Sequence, residues 1–82
     1  MPRVILSDNI CRLLAGGATE LEVAATSVRR LITELEARFP GLGRQVEQRM
    51  AVAIDGVIYQ DATGVQLAEA SEIVLIPKIG GG

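Results

Sequence analysis

The residues whose type and position most clearly suggest a chemical role are the last three of the sequence, Gly80, Gly81 and Gly82. Consecutive glycines at a terminus contribute nothing to a packed core, and they lose much backbone entropy when they are ordered. They follow Pro77, which lacks a backbone donor and is expected to end a strand ladder there. Residues 78–82 reach at most about 17 Å. We therefore expect a thin extended tail that carries a terminal carboxylate into another protein's active site, with an ordinary frayed end as the alternative.

A carboxylate must be activated, for example as an acyl-adenylate, before it can accept sulfur or pass to an amine. The chain itself lacks the groups for such chemistry. Without histidine there is no Ser-His or Cys-His pair and no imidazole metal ligand. The single cysteine, Cys11, forms neither an internal disulfide nor a Cys-x-x-Cys zinc site. We predict a protein that is not an enzyme by itself and that binds no metal or cofactor.

The length and charge of the chain further limit the class of protein to which it can belong. A chain of 82 residues with 2% aromatic residues and a net charge of −2 suits one small domain, and it lacks the basic stripe and stacking platforms of nucleic-acid binders. The longest unbroken apolar run, residues 50–54, is far shorter than the ~20 residues that cross a bilayer. An unpaired thiol suits a reducing compartment. We expect a cytoplasmic protein with no nucleic-acid or membrane partner.

Hydrophobic periodicity supplies the elements that must position the tail. A helix is predicted over residues 27–39, with Ser27 or Thr26 as its N-cap and an apolar stripe at Val28, Leu31, Ile32, Leu35 and Phe39. Residues 8–17 are predicted to form a loop, and residues 42–46 a short helical turn. Strands are predicted over residues 3–7, 20–23, 50–55, 57–59 and 72–76, with a weak strand or turn at 65–67.

This order predicts an α+β fold in which one main helix packs on one face of a mixed sheet of four to five strands. With the first and last strands paired in the middle, the arrangement is a β-grasp. We assign residues 1–77 to the domain and residues 78–82 to the glycine-rich tail.

Alternation of side chains along the strands separates the two faces of the sheet. The residues predicted to point away from the helix include Ile5, Ala51, Ala53, Val74 and Ile76. Arg3, Glu20, Glu22 and Lys78 are predicted to rim them. An exposed apolar patch with a polar rim is typical of a partner surface, although scattered apolar side chains are also common on small proteins. Because the patch would adjoin the tail, we predict a partner interface that also includes Lys78 and Ile79.

Several segments together resemble a known family. They are Leu14-Ala15-Gly16-Gly17-Ala18 before the Glu-Leu-Glu-Val strand, Ser27-Val28 at the helix start, Leu35 to Leu42 ending in Phe-Pro-Gly-Leu, Glu-Ile-Val-Leu-Ile-Pro at 72–77, and Gly80-Gly81-Gly82. In these segments the chain resembles the sulfur carriers of the ubiquitin-like β-grasp superfamily, which include the small subunit of molybdopterin synthase and the thiamine sulfur carrier. It departs from the family pattern at Ala70-Ser71, where Gly-Asp is common, and at Asp55-Gly56, where Asn-Gly is more usual.

The resemblance implies a reaction sequence and its partners. A ubiquitin-activating-type adenylating enzyme would use ATP to adenylate the carboxylate of Gly82. A sulfur donor enzyme would convert the adenylate to a thiocarboxylate, and a larger acceptor synthase subunit would take the sulfur. Gly81 would be the required neighbour of Gly82, and Gly80 would stand where small residues are usual. The length and the Ile-Pro-x-x-Gly-Gly-Gly end favour the molybdopterin type over the thiamine type.

Two other functions remain open at this stage. A ubiquitin-like protein modifier would be conjugated through Gly82 to lysines of targets, and a non-catalytic β-grasp interaction module would not use its tail. Lys78 is the only lysine, which disfavours lysine-linked chains of this protein. All three alternatives share one fold, so the fold alone does not discriminate among them.

Overall fold

Five strands and three helices form the described part of the chain, which is residues 1–78 of a computed structural model. In chain order they are β1 (Arg3–Leu6), α1 (Asn9–Leu14), β2 (Glu20–Glu22), α2 (Val28–Arg38), α3 (Leu42–Arg49), β3 (Met50–Ile54), β4 (Val57–Tyr59) and β5 (Glu72–Pro77). Ile79, Gly80, Gly81 and Gly82 lie outside the described residues, and so do the predictions made for them.

The strands form one mixed sheet in the order β2-β1-β5-β3-β4. β1 and β5 pair in parallel at its centre, and every other neighbouring pair is antiparallel. The β3–β4 hairpin turns at Asp55 and Gly56, both with positive φ, as a tight two-residue hairpin requires. The predicted α+β class, the β-grasp order and the central pairing of first and last strands are confirmed.

The hydrophobic core lies between the sheet and the helices. Alternation along the strands is as predicted: the residues that point inward are Val4, Leu6, Leu21, Val23, Val52, Ile54, Ile73 and Leu75. α2 contributes Val28, Leu31 and Leu35 from its apolar stripe, while Ile32 and Phe39 pack at the margin of the core. The opposite face of the sheet is therefore left without a helix.

α2 is anchored at both ends by polar contacts. The Ser27 hydroxyl accepts a hydrogen bond from the backbone N–H of Arg30 at 3.2 Å, which confirms Ser27 as the N-cap. Near the C-terminal end, Arg38 pairs with Glu34 at 3.3 Å and also donates to the backbone oxygen of Glu22 at 2.7 Å. Glu34 in turn accepts from the backbone N–H of Ala24 at 3.0 Å. These contacts hold α2 against β2 and the segment that follows it.

α3 is longer than the predicted helical turn at 42–46, because side chains and backbone of α2 support it. The Glu36 carboxylate accepts from the backbone N–H of Gly41 at 2.8 Å and of Arg44 at 3.0 Å. These two hydrogen bonds lower the pKa of Glu36. Gly43 permits the close approach: a Cβ there would lie 2.4 Å from the backbone oxygen of Ile32. A capping residue from a different element is not visible in local sequence.

One local prediction is wrong, and another is confirmed only in part. Part of the predicted loop at 8–17 is α1, whose N-cap Asp8 accepts from the backbone N–H groups of Ile10 and Cys11 at 3.0 and 3.2 Å. Burial of Cys11 against the core holds this short helix in place. The predicted strand or turn at 65–67 is reduced to an isolated bridge between Ser27 and Gln66.

Candidate functional site

The tail begins where the central strand leaves the sheet. The ladder does not stop at Pro77 as predicted: β5 includes Pro77, opposite Met50, and the backbone N–H of Lys78 donates to the backbone oxygen of Arg49 at 3.0 Å. Alternate residues of a strand direct their N–H groups to opposite sides, so the missing donor of Pro77 faces β1. β1 has already ended at Leu6, so the proline interrupts no pair. The start of the tail is thereby fixed to the junction of α3 and β3.

An apolar row crosses the helix-free face of the sheet. Ile5 lies opposite Val74, Val74 opposite Ala53, and Ala53 opposite Ile58. Ile5, Val74 and Ala53 are half-buried, as is Ile76 further along β5, whereas Ile58 is 61% exposed. We call these five residues, Ile5, Ala53, Ile58, Val74 and Ile76, the outer apolar face. The predicted role of its residues as a partner interface stays a prediction.

Two residues change the predicted patch. Ala51 is only 1% exposed, so the prediction that it offers contact surface is wrong. Its side chain ends at Cβ and lies opposite the larger Ile76, which accounts for its burial. Ile58 was missed, although the same alternation that selected Ala53 places its cross-strand neighbour on the same face.

Charged residues lie at the end of this face that is remote from the tail. Arg3 pairs with Glu20 at 3.1 Å and with Glu72 at 3.2 Å. All three side chains are about half exposed, so each pair contributes little to stability. Lys78 is exposed at the opposite end, beside the tail. The predicted rim is therefore split, with the Arg3 network at one end of β5 and a single cation at the other.

A groove opens beside the tail on the helix-facing side of the sheet. Its volume is about 340 Å³. Its floor consists of apolar side chains of α2, α3 and β3, among them Val28, Ile32, Val46, Met50 and Val52. Its rim carries Glu47, Gln60, Asp61, Thr63 and Lys78. We call it the tail-base groove. Local sequence patterns do not indicate it, because its walls come from separate elements.

Asp61 on this rim is held as a carboxylate. Its Oδ1 accepts from the Thr63 hydroxyl at 2.6 Å and from the Thr63 backbone N–H at 3.3 Å. These hydrogen bonds, with a smaller contribution from the charge of Lys78, lower the pKa of Asp61. The rim therefore carries a fixed negative charge near neutral pH.

Cys11 is not arranged for sulfur chemistry. Its side chain is fully buried, and burial, followed by the negative charge of Asp8, raises the pKa of its thiol from 9.0 to about 11. The thiolate, which is the nucleophilic form, is therefore scarce at neutral pH. Cys11 acts as a small apolar residue of the core.

Neither a metal centre nor a membrane span is found in residues 1–78. No three cysteine or acidic side chains of this part converge on a possible metal position. The helices described above are all too short and polar to cross a bilayer.

Comparison with known families identifies the class of protein. The model of the ThiS family matches residues 9–82, which is most of the sequence. The chain therefore belongs to the ThiS family, whose members are ubiquitin-like sulfur carriers with a β-grasp fold and not catalysts themselves. No curated protein matches the sequence.

Solved structures show the same fold at low sequence identity. A chain of the Amycolatopsis orientalis BexX/CysO complex is 17% identical with a TM-score of 0.82, and the match covers 100% of both chains. SAMP1, small archaeal modifier protein 1 of Methanosarcina acetivorans, is 22% identical with a TM-score of 0.76, over 99% of this chain and 95% of that one. A Pyrococcus furiosus protein described as putative molybdopterin converting factor subunit 1 is 19% identical with a TM-score of 0.66, over 95% and 97%. At these identities the likeness shows the fold alone.

Proposed function

We propose that the carboxylate of Gly82 is adenylated by a ubiquitin-activating-type enzyme and converted to a thiocarboxylate that donates sulfur to an acceptor. The observation that carries this proposal is the path of β5. The central strand leads directly, through Pro77 and Lys78, into the sequence Ile79-Gly80-Gly81-Gly82. Membership of a sulfur-carrier family supports the same chemistry.

The proposed reaction proceeds in two balanced steps. The Gly82 carboxylate attacks the α-phosphate of ATP, and pyrophosphate leaves as the acyl-adenylate forms. Sulfide then attacks the acyl carbon, AMP leaves, and one oxygen of the carboxylate has been replaced by sulfur. If a persulfide of a sulfur donor enzyme attacks instead, AMP again leaves and an acyl disulfide forms. A second thiol then attacks the donor's sulfur, which releases the thiocarboxylate and leaves a disulfide between that thiol and the donor cysteine. ATP is thus a substrate of the partner, and this chain holds no cofactor of its own.

The outer apolar face is the surface we assign to the partners. Side chains on a sheet face form a rigid platform, and the exposed Ile58 together with the half-buried Val74 and Ile76 offers the apolar centre that interfaces favour. Ile76 is two residues before Lys78 on β5, so a protein docked here has the tail within reach. Both the adenylating enzyme and a larger acceptor synthase subunit would use this face in turn.

For the acceptor, we propose the molybdopterin-type pathway. The Ile-Pro-x-x-Gly-Gly-Gly end supports this assignment, and the likeness to the putative molybdopterin converting factor subunit is compatible with it. A thiamine-type acceptor is the competing assignment. Both acceptors would draw on the same thiocarboxylate, so the mass measurement below tests the activation step that they share.

The activation is tested by intact mass spectrometry. The purified chain is incubated with an adenylating enzyme of this type, ATP and sodium sulfide, beside a matched variant that lacks Gly81 and Gly82. We expect an ATP-dependent gain equal to the exchange of one oxygen for one sulfur, in the full chain only. In a cell extract supplied with the same reagents, covalent attachment to other proteins would instead support a modifier. An unchanged mass with an enzyme that is competent on another carrier would refute both.

A further inference from the structure

We propose that the tail-base groove receives a basic side chain, an arginine or lysine, from the enzyme that acts on the tail. This inference rests on the proposed function, because that enzyme is the protein that must enclose the tail. It adds a second contact on the side of the sheet opposite to the outer apolar face.

The floor of the groove suits a long aliphatic stem. Val28, Val46 and Met50 are each at most 3% exposed, so the floor belongs to the packed core, and the half-buried Ile32 offers apolar surface beside it. At about 340 Å³ the groove is at the small end of the range for ligand pockets. It therefore accommodates one side chain more readily than a segment of secondary structure. Arginine and lysine bury their stems on such surfaces while the charged head remains at the rim.

The rim supplies the matching charge. Glu47 and Asp61 carry two negative charges against the single positive charge of Lys78. Within residues 1–78, the Glu47 side chain makes no hydrogen bond or ion pair, and the Asp61 Oδ2 atom makes none either. A net negative rim above an apolar floor is complementary to a cation with an aliphatic stem. It disfavours binding of an acidic or a purely apolar side chain.

The position of the groove selects the partner. Lys78 is both a rim residue and the start of the tail. A protein that surrounds the chain beyond Lys78 must pass over this rim on one side and over Ile76 on the other. The occupant consequently comes from the enzyme that receives the tail, and not from an unrelated binding partner.

The binding preference is tested on the intact chain by nuclear magnetic resonance. ¹⁵N-labelled protein is titrated with N-acetyl-arginine methylamide and, as a neutral isostere, with N-acetyl-citrulline methylamide. We expect saturable shifts at Glu47, Ala62 and Thr63 with the arginine probe and weaker ones with citrulline. Equal responses to both probes, or shifts spread over the whole surface, would overturn the proposal.

Two charge variants are expected to change the affinity for the arginine probe in opposite directions. Glu47→Gln is expected to weaken arginine binding about two- to fivefold, the range of an exposed ion pair. Lys78→Gln is expected to strengthen it about as much, because it removes the competing cation. Glu22→Gln, which removes the same charge at the far end of the sheet, is the matched control. An equal loss in the Glu22 variant, or no gain in the Lys78 variant, would contradict the groove as the site.

Two further measurements distinguish a groove filled by the enzyme from a groove filled by the chain's own tail. If arginine binds only after deletion of residues 79–82, the tail occupies the groove and the proposal is overturned. With an adenylating enzyme that has passed the mass test, Glu47→Gln should raise the KM for this carrier while kcat is retained. An unchanged KM refutes the partner contact, whereas the titrations stand even if the thiocarboxylate reaction fails.

Discussion

Replacement of Gly43 by alanine should destabilise the fold, although the same change in an open helix would stabilise it. Alanine in a helix is favoured over glycine by up to about 1 kcal/mol. Against this, the new Cβ would lie 2.4 Å from the Ile32 backbone oxygen, 2.6 Å from the Glu36 Cβ and 3.0 Å from the Glu36 backbone nitrogen. Two of these three atoms belong to the backbone of α2 and have little room to move. Overpacking of this kind costs about 1–3 kcal/mol.

With the upper part of that range, the net loss in the free energy of unfolding is about 2 kcal/mol. For a small domain with an m-value near 1 kcal/mol per molar urea, the unfolding midpoint should fall by about 2 M. Gly64→Ala is the matched control, because its Cβ would meet nothing within 4 Å. Urea titration followed by circular dichroism measures both variants. A Gly43 variant as stable as the unmodified chain would refute the close packing of α2 against α3.

Three other predictions concern separate parts of the molecule. Ile58→Lys should keep the melting temperature but weaken the complex with the proposed adenylating enzyme at least about fivefold, which is about 1 kcal/mol and marks a residue that contributes to an interface; the same change at Leu13, which is 79% exposed on α1, should not. Since the pKa of Glu36 is lowered by folding from 4.5, its stabilisation should be complete above that value and be lost as the pH falls below it. Glu36→Gln should flatten this acid limb in urea titrations, and an identical limb would contradict the capping role. At about pH 8, Cys11 of the native protein should resist thiol reagents, because its side chain is buried and its pKa is raised to about 11. Rapid labelling of Cys11 without denaturant would contradict its burial.

Features that depend on neighbours in sequence were predictable. Inward and outward strand positions follow from a period of two, and the burial of Val4, Leu6, Ile73 and Leu75 agrees with it. The extent of α2 follows from its stripe and from Ser27. The likeness of the tail to known carriers depends only on the order of residues, so the sequence alone reveals it.

Features that depend on distances between elements were not predictable. Whether an outward residue is exposed depends on the sizes of its cross-strand neighbours, which is why Ala51 is buried although its direction follows from alternation. The N-terminal end of α3 is stabilised by Glu36, which belongs to another helix, so local sequence does not reveal that support. The tail-base groove is the gap that remains between α2, α3, β3 and the segment around Asp61 when these elements pack together.

The parallel pairing of β1 with β5 has a practical consequence for attachment. Met1 precedes β1 at the end of the sheet where β5 begins, and its amine contacts Glu69 at 2.6 Å. Lys78 lies at the other end of β5, about 20 Å away for a six-residue strand. A bead, a dye or a whole upstream domain joined to Met1 is therefore attached at the end of the sheet opposite to Lys78. Protein tethered in this way would leave the Lys78 end of the sheet accessible to an enzyme in solution.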